Sequence, residues 1–515
     1  MKENLNLINA NIITLDIYNP SATSVIIEKG KIHSLNQINS KYRTIDLKGA
    51  TLIPGFIDSH FHLCNLGKRL DFINLKGIKS LGAIKELVTK ECNNRKSGEL
   101  ILGFGWDQNL WLSKEFPDSN ILNEISPVHP IMFTRIDGHA LWVNQKCLDI
   151  VGYRNNDGVV EGGKIINNCI LIDNAMSITK NLNPENTLEN VKRWISNATD
   201  IIVKRGICSV HDAWQDQIII DSINQLVYED KFPIRCYGMI DGSNIELCNN
   251  FFKNGFLNSE KYVIRSVKAF IDGALGSRGA ALLEPYSDDI HNCGLILISH
   301  KEFKELARQC AHNQFQLNTH AIGDKGNKIV IDTYSEYTKD LDRRWRIEHA
   351  QMVTSNDIDR IIENNIVPSM QPSHCTSDMK WLPDRIGAHR LHRISRWKTL
   401  INKGAKIAGG SDCPIEDGNP LFEFYAAVTR KNHQGWPKKG FQNQESVNSI
   451  EALKMLTSWG AHAEFQDGLK GKIKPGYFAD LTVLSHDITI VHPKEILDID
   501  ICATIINGEF VYSQL

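Results

Sequence analysis

The sequence lacks an excess of charge of either sign. Its 515 residues include 58 Lys and Arg against 60 Asp and Glu, which gives a formal net charge of -2 at pH 7. This balance provides neither the basic surface of a nucleic-acid-binding protein nor an acidic tail. With 42% hydrophobic and 23% charged residues, the chain has the composition of a soluble globular protein with a large core.

Long apolar runs and paired cysteines are also absent. No window approaches the ~18 apolar residues of a membrane-spanning helix, and the first residues lack the apolar stretch of a secretory peptide. The 12 cysteines are scattered from Cys64 to Cys502 without CxxC spacing, which favours buried thiols in a reducing compartment. We therefore expect a soluble cytoplasmic protein with no membrane or nucleic-acid partner.

Short β-branched segments that end in polar residues recur along the chain, and a segment of helical period follows most of them. This alternation is typical of parallel strands joined by helices, and eight such strands indicate a closed, TIM-like (β/α)8 barrel of the α/β class. The predicted strands are 52–58, 207–212, 234–240, 263–272, 315–320, 345–349, 366–372 and 405–412.

The predicted barrel segment is longer than the roughly 250 residues that such a barrel takes. The surplus follows the first strand, and both chain ends contain the short strand patterns of a small β-sandwich. The expected organisation is a β-sandwich from residues 1–50 and 465–515, a barrel from 51–63 and 185–464, and an insertion or lid at 64–184.

His60 and His62 end the first predicted strand, in GFIDSHFHL. Residues at i and i+2 of a strand point to one face, so the two imidazoles can converge on one ion, although two polar loop histidines would leave the same pattern. His320, His349 and Asp412 also end predicted strands, where each alone could be structural. Because the carboxyl ends of barrel strands surround one mouth, the set predicts a metal site.

Lys268 lies inside the fourth predicted strand, on the same side as Phe270 and Asp272. A lysine directed into a barrel core must be paired, neutralised or modified. One interpretation is a salt bridge to a neighbouring carboxylate. The interpretation that we favour is a carbamate formed with carbon dioxide, whose oxygens could bridge two cations roughly 3.5 to 4 Å apart.

Other residues are candidates for substrate contact. Trp106 could form an apolar wall or simply belong to the core, and Asp137 and His139 could line the pocket or orient the following helix. The predicted substrate-binding residues are Trp106, Asp137, His139, Asp272 and Arg278. A structural role is the preferred interpretation for four more polar residues that follow strands: His211, Asp212, His374 and Asp378.

An ordered set of phrases extends over nearly the whole chain: LIPGFIDSHFHL, DGHALWVN, GICSVHDA, VKAFIDGALGSRGA, THAIGD, RIEHAQ, QPSHCTSD, GGSDCP and KGKIKPGYFADLTVL. In this set the sequence resembles the amidohydrolase superfamily, specifically the long branch of metal-dependent hydrolases that contains the N-substituted formamide deformylases. The resemblance implies one or two divalent ions. It implies that His60, His62 and Asp412 bind the more buried ion, that His320 and His349 bind a second, and that Lys268 bridges both as a carbamate.

Imidazole and carboxylate ligands favour zinc or a neighbouring first-row metal, and an open coordination position suits catalysis. A water bound to such a metal ionises near pH 7 and becomes the attacking hydroxide. Asp412 would take up the proton and deliver it to the departing nitrogen. Asp412 and Lys268 are therefore the predicted catalytic residues.

These residues predict a hydrolase that cleaves a carbon–nitrogen bond in a small, linear, non-peptide amide. The resemblance favours an N-substituted formamide or an N-acyl amine. A deaminase of a heterocyclic amine is the alternative enzyme, and a catalytically silent barrel scaffold is the non-enzyme alternative, against which the complete ligand set argues. The expected partner is a small-molecule substrate, and the resemblance is compatible with a homodimer.

Overall fold

The computed structural model describes residues 3–136, 140–154, 163–182 and 184–515. The chain divides into two compact units, the first formed by Met1–Leu66 with Ile195–Leu515 and the second by Gly67–Trp194. The helices Leu63–Leu70 and Leu188–Lys204 each contain one of the two boundaries. Among the described residues, no helix combines the length and the hydrophobicity that a bilayer crossing requires.

The first unit contains a barrel of eight strands, each paired in parallel with the next barrel strand along the chain. The strands are Phe56–Phe61, Ile207–Gln215, Arg235–Asp241, Tyr262–Phe270, Gln316–Ala321, Arg346–His349, Val367–Met370 and Ala408–Gly409. The helices are Gln217–Tyr228, Ile245–Asn254, His300–His312, Asp324–Thr338, Ser355–Glu363, Pro372–Asp378, Leu382–Ile386, Trp397–Asn402, Pro420–Thr429, Ser449–Met455 and Ser458–Ala463. The predicted barrel of the α/β class is confirmed.

The barrel closes where the chain leaves its last strand. Phe61 and Cys413 form a parallel bridge, and the backbone N–H of Asp412 donates to the carbonyl oxygen of His60 at 2.7 Å. Gly410 permits this approach, because a Cβ atom there would lie 2.5 Å from the backbone nitrogen of His60. Closure therefore places Asp412 beside the first strand.

The first predicted strand, 52–58, is divided in the structure. Thr51–Pro54 pairs in a sheet outside the barrel, whereas Phe56–Phe61 begins the barrel, so the prediction of one barrel strand over 51–63 is wrong at its start. Gly55 lies at the division, where a Cβ atom would come within 2.3 Å of the Cys208 sulfur. Both halves are buried, and the pair Pro54 and Gly55 marks the division in the sequence.

The two chain ends form two further sheets that share one hydrophobic core. The four-stranded sheet contains Leu5–Ile8, Val25–Glu28, Lys31–Leu35 and Arg43–Asp46. The six-stranded sheet contains Asn11–Ile13, Ser21–Ala22, Thr51–Pro54, Leu481–Leu484, Ile501–Ile506 and Glu509–Ser513. Leu7 and Val25 from the first sheet pack in the same core as Val483 and Ile505 from the second. The β-sandwich built from both ends is confirmed.

The second unit is the large insertion that follows the first barrel strand. It contains a six-stranded mixed sheet of Phe72–Asn74, Ile101–Trp106, Ile131–Arg135, Ala140–Val143, Gly163–Ile166 and Ile170–Asp173. Its helices include Leu81–Asn94, Asn120–Ile125 and Gln145–Ile150. Trp106, Trp111 and Trp142 lie together in its core, with ring centroids 6.1 to 6.2 Å apart.

Candidate metal centre

The carboxyl ends of the barrel strands bring all the predicted metal ligands to one cavity of about 430 Å³. His349 is the last residue of the sixth strand, and Asp412 follows the eighth strand by three residues. The six side chains that line the cavity as predicted are His60, His62, Lys268, His320, His349 and Asp412. Residues separated by up to 352 positions in the sequence therefore face one small volume.

The tightest group of potential ligand atoms belongs to His60, His349 and Asp412. One donor atom from each lies within 4.8 Å of the donor atoms of the other two. His62 joins this group, because its Nε2 atom lies 2.9 Å from Asp412 Oδ1, and His60 Nε2 lies 3.5 Å from the same oxygen. The paired histidines and Asp412 therefore lie in one group.

Lys268 and His320 extend the group along the cavity. Lys268 Nζ lies 3.5 Å from His60 Nε2, and the imidazole centroids of His320 and His349 are 4.6 Å apart. Lys268 is almost fully buried, at 1% exposure. The lysine is therefore enclosed at the centre of the predicted ligand set.

Two of these residues have an uncommon backbone conformation. His349 has a φ of 74° and Asp412 a φ of 58°, in the left-handed region that residues other than glycine rarely adopt. Such conformations cost free energy and persist where the surrounding structure imposes them, often at functional sites. At His349 the turn interrupts the alternation of the strand and directs the imidazole into the cavity.

The buried imidazoles are neutral at pH 7. Burial, reinforced by the positive charge of Lys268, lowers the pKa of His60 to about 4 and the pKa of His320 to about 3. Burial also holds the pKa of His349 well below its usual value. A neutral imidazole keeps one nitrogen lone pair, which is the form that binds a metal.

The donor set fits a divalent cation. Imidazole nitrogens and a carboxylate oxygen are ligands of zinc and its neighbours, and neutral histidines need not lose a proton to bind. The side chains also converge from different strands on one volume, as an ion site requires. These residues would hold the ion that the sequence predicts.

Several further residues surround the predicted ligands. Gln371 Oε1 lies 2.8 Å from His349 Nδ1, and the Glu348 carboxylate contacts His60 Nδ1. His374, for which a structural role was preferred, lines the cavity, with its Nε2 atom 3.7 Å from Asp412 Oδ2. The position of Gln371 directly after the seventh strand was the available signal, whereas Glu348 carried none.

The predicted substrate-binding residues lie in different environments. Trp106 is fully buried in the second unit, where its indole N–H donates to the carbonyl oxygen of Phe133. Arg278 forms two 3.0 Å hydrogen bonds to Asp288. Asp137 and His139 lie outside the described residues.

Asp272, the fifth candidate for substrate contact, is fully buried. Its carboxylate accepts hydrogen bonds from the backbone N–H groups of Ala281, Ile322 and Gly323 at 2.8 to 3.0 Å. Burial nevertheless raises the pKa of Asp272 to about 7. The carboxylate therefore ties together the two loops that leave the fourth and fifth barrel strands.

The rest of the cavity wall is mixed. Its apolar part is formed by Phe270, Leu275, Ile322, Trp381 and Ile415. Its polar part includes Gln351, Asp378 and Glu416, and the Gln351 amide donates to Asp378 Oδ2 at 2.6 Å. The cavity can hold a small molecule with an apolar substituent beside the candidate metal centre.

The sequence profile of the amidohydrolase family matches residues 43–512, which is most of the chain. The chain belongs to the amidohydrolase family. This result confirms the predicted relationship and agrees with the ligand geometry of the barrel.

Individual relatives extend over the same length. YtcJ of Bacillus subtilis (strain 168), whose name describes an amidohydrolase, is 29% identical over 510 residues, covering 95% of this chain and 96% of YtcJ. The N-substituted formamide deformylase of Arthrobacter pascens is 23% identical over 544 residues, covering 99% and 98%. The crystal structure of an uncharacterized metal-dependent hydrolase from Pyrococcus horikoshii OT3 superposes with a TM-score of 0.81 at 26% identity, covering 95% of this chain and 99% of that one.

The role of Asp272 can be tested with Asp272→Asn. The amide group would place an N–H donor against backbone donors, so we expect the free energy of unfolding to fall by about 1 to 3 kcal/mol. Denaturant unfolding measures this change, with Asp342→Asn, at an exposed ion pair with Arg344, as the control expected to change stability by less than about 0.5 kcal/mol. Unchanged stability with a raised KM would instead indicate a substrate contact.

Proposed function

We propose that this amidohydrolase is a metal-dependent hydrolase that cleaves the carbon–nitrogen bond of a small, linear, non-peptide amide, such as an N-substituted formamide or an N-acyl amine. The observation that carries the proposal is the convergence of His60, His349 and Asp412 within 4.8 Å, with His62, Lys268 and His320 on the same cavity. This set joins metal-binding groups to a carboxylate that can transfer a proton.

Zinc is the proposed ion, held by the histidines and Asp412, in one or two copies. When bound, a divalent cation polarises a carbonyl group and lowers the pKa of a water molecule towards neutrality. The absence of cysteine among these side chains favours a catalytic site over a closed thiolate site. The relative from Pyrococcus horikoshii, described as a metal-dependent hydrolase, supports the binding of a metal ion.

Asp412 is the proposed proton carrier. Its Oδ1 atom faces His60 and His62, whereas Oδ2 lies 3.7 Å from His374 Nε2. Oδ2 can accept the proton of the attacking water and return it to the departing amine nitrogen, which needs a proton to leave as a neutral amine. The His374 imidazole, which lies beside Oδ2, can hold that oxygen in position during both proton transfers.

Lys268 is the proposed bridge between two ions, as a carbamate. Its Nζ atom lies 3.5 Å from His60 Nε2, and within the described residues it forms no ion pair with a carboxylate, which supports a carbamate over a salt bridge. Addition of carbon dioxide to the neutral amine forms an N–C bond and releases one proton, which leaves an anionic group with two oxygens. That anion offsets the charge of the cations that it binds.

The cavity supports a substrate with an apolar nitrogen substituent. Its volume of about 430 Å³ accommodates a small amide, and Phe270, Leu275 and Trp381 provide an apolar wall. The 23% identity to an N-substituted formamide deformylase over nearly the full length of both chains supports the same substrate class.

A metal-controlled substrate screen tests the proposal. We expect the purified enzyme, analysed for bound metals, to hydrolyse N-alkyl and N-benzyl formamides or acetamides, to lose activity on chelation and to regain it with zinc. Release of ammonia from heterocyclic amines alone would favour the deaminase alternative. A metal-loaded protein that hydrolyses neither class would support the silent scaffold.

Asp412→Asn tests the proton carrier. Because asparagine cannot take up and return the proton, we expect turnover to fall by roughly 10²-fold or more while the thermal unfolding of the protein is retained. Turnover of the best amide and the far-ultraviolet circular dichroism spectrum are the measurements. Near wild-type turnover would contradict the assigned role.

Lys268→Ala tests the carbamate. Loss of the bridge should weaken metal binding by roughly tenfold or more, and added formate or acetate should partly restore it by occupying the vacated volume. Metal content after dialysis is the measurement, with Lys301→Ala, on the exposed start of the helix His300–His312, as the control. An unchanged metal content would contradict the bridge.

A further inference from the structure

Glu348 contacts the face of His60 that is turned away from the cavity. The Glu348 carboxylate accepts a hydrogen bond at Oε2 from His60 Nδ1, and the two side chains are 0% and 1% exposed. Glu348 directly precedes His349 in the sixth barrel strand, where alternation would turn the two side chains to opposite sides. The positive φ of His349 allows these neighbours to reach the same imidazole cluster from two directions.

Arg346 holds the Glu348 carboxylate in place. Its Nε atom lies 2.7 Å from Glu348 Oε1, and its Nη2 atom donates to Oε2 at 3.0 Å. The same Nη2 atom donates to the carbonyl oxygen of Ser59 at 2.6 Å and to Ser369 Oγ at 2.9 Å. The guanidinium therefore joins the first, sixth and seventh barrel strands around the carboxylate.

The network continues from Arg346 across the barrel interior. Arginine only donates, so His211 Nδ1, 2.8 Å from Arg346 Nη1, must accept, and the opposite ring nitrogen, Nε2, lies 3.2 Å from Glu464 Oε1. Lys470 Nζ completes the chain 2.8 Å from the same oxygen. The hydrogen bonds of Arg346 to the Glu348 carboxylate and to His211 hold its guanidinium between these two side chains.

The acceptor at His60 Nδ1 determines which nitrogen of the imidazole has the proton. The Glu348 carboxylate, which is paired with Arg346, only accepts hydrogen bonds, so the proton of the neutral imidazole that contacts it lies on Nδ1. The lone pair is then on Nε2, which lies 3.5 Å from both Lys268 Nζ and Asp412 Oδ1. His60 consequently presents its metal-binding nitrogen to the cavity before any ion arrives.

We propose that Glu348 is a positioning residue of the metal centre, which holds His60 in the orientation and tautomer that bind the ion, and that Arg346 fixes Glu348 for this purpose. The inference rests on the metal centre of the proposed function but not on its substrate. Carboxylates that accept from a ligand histidine typically affect metal affinity by 10- to 100-fold, roughly.

The competing explanation is that Glu348 and Arg346 form an ion pair that only stabilises the fold. Removal of both charges distinguishes this explanation from the positioning role. Glu348→Leu combined with Arg346→Met replaces the pair by apolar side chains of similar size, a change that buried ion pairs often tolerate without loss of stability. The double variant therefore removes the acceptor of His60 without leaving a buried charge unpaired.

The experiment titrates the apoprotein with zinc against a competing chelator, and with cobalt to record the visible absorption of the ligand field. We expect the double variant to bind zinc roughly 10- to 100-fold more weakly than the wild type, with an altered cobalt spectrum. Glu348→Gln, which keeps the shape of the side chain, should shift affinity in the same direction. The matched control is Glu464→Gln, which changes a buried acid of the same network that does not contact His60.

The outcomes distinguish this inference from the proposed function. Weaker binding in both Glu348 variants, with wild-type affinity in Glu464→Gln, supports the positioning role. Wild-type affinity in a folded Glu348 variant overturns that role and leaves the proposed function intact. Equal loss of zinc affinity in the Glu464 control would show a general effect of the buried network and would also overturn the positioning role. Failure of the wild type to bind zinc or cobalt would overturn both.

Discussion

The hydrogen bonds that close the barrel are the constraint on which the candidate centre depends. The amide of Asp412 donates to the carbonyl oxygen of His60 at 2.7 Å, and Ser411 Oγ donates to Asp58 Oδ2 at 2.6 Å, across 353 positions of sequence. Because these bonds join the two ends of the barrel, the Asp412 side chain enters the cavity beside His60 however long the intervening chain is. The remaining ligands need only occupy the carboxyl ends of their own strands.

The centre concentrates features that oppose folding. Neutral imidazoles and a lysine are buried together, and His349 and Asp412 adopt left-handed backbone conformations. Other charges are buried in the barrel as ion pairs, as Arg346 is with Glu348. Arg235 and Asp480 form a similar buried pair between the barrel and the sandwich, at 2.6 Å. Buried polar groups and unusual backbone conformations that are confined to one site of a regular fold are typical of functional sites.

The barrel, the sandwich and the metal-binding candidates were predictable because each leaves a local signal. Strands and helices alternate in the sequence, and histidines at i and i+2 on a strand can reach one ion. Glu348 left no such signal, because strand alternation separates it from His349 and only the backbone turn at His349 reunites them. The hydrogen bonds of Asp272 also left no local signal, because its carboxylate accepts from the backbone N–H of Ile322, 50 positions away in the sequence.

We expect a metal ion to be bound by imidazole nitrogens and carboxylate or carbamate oxygens at the mouth of the barrel. X-ray absorption at the zinc edge of the reconstituted protein measures those ligands directly. We expect nitrogen or oxygen scatterers at about 2.0 to 2.2 Å with the outer-shell pattern of imidazole. Sulfur scatterers near about 2.3 Å, or zinc that retains only water ligands, would contradict the central claim.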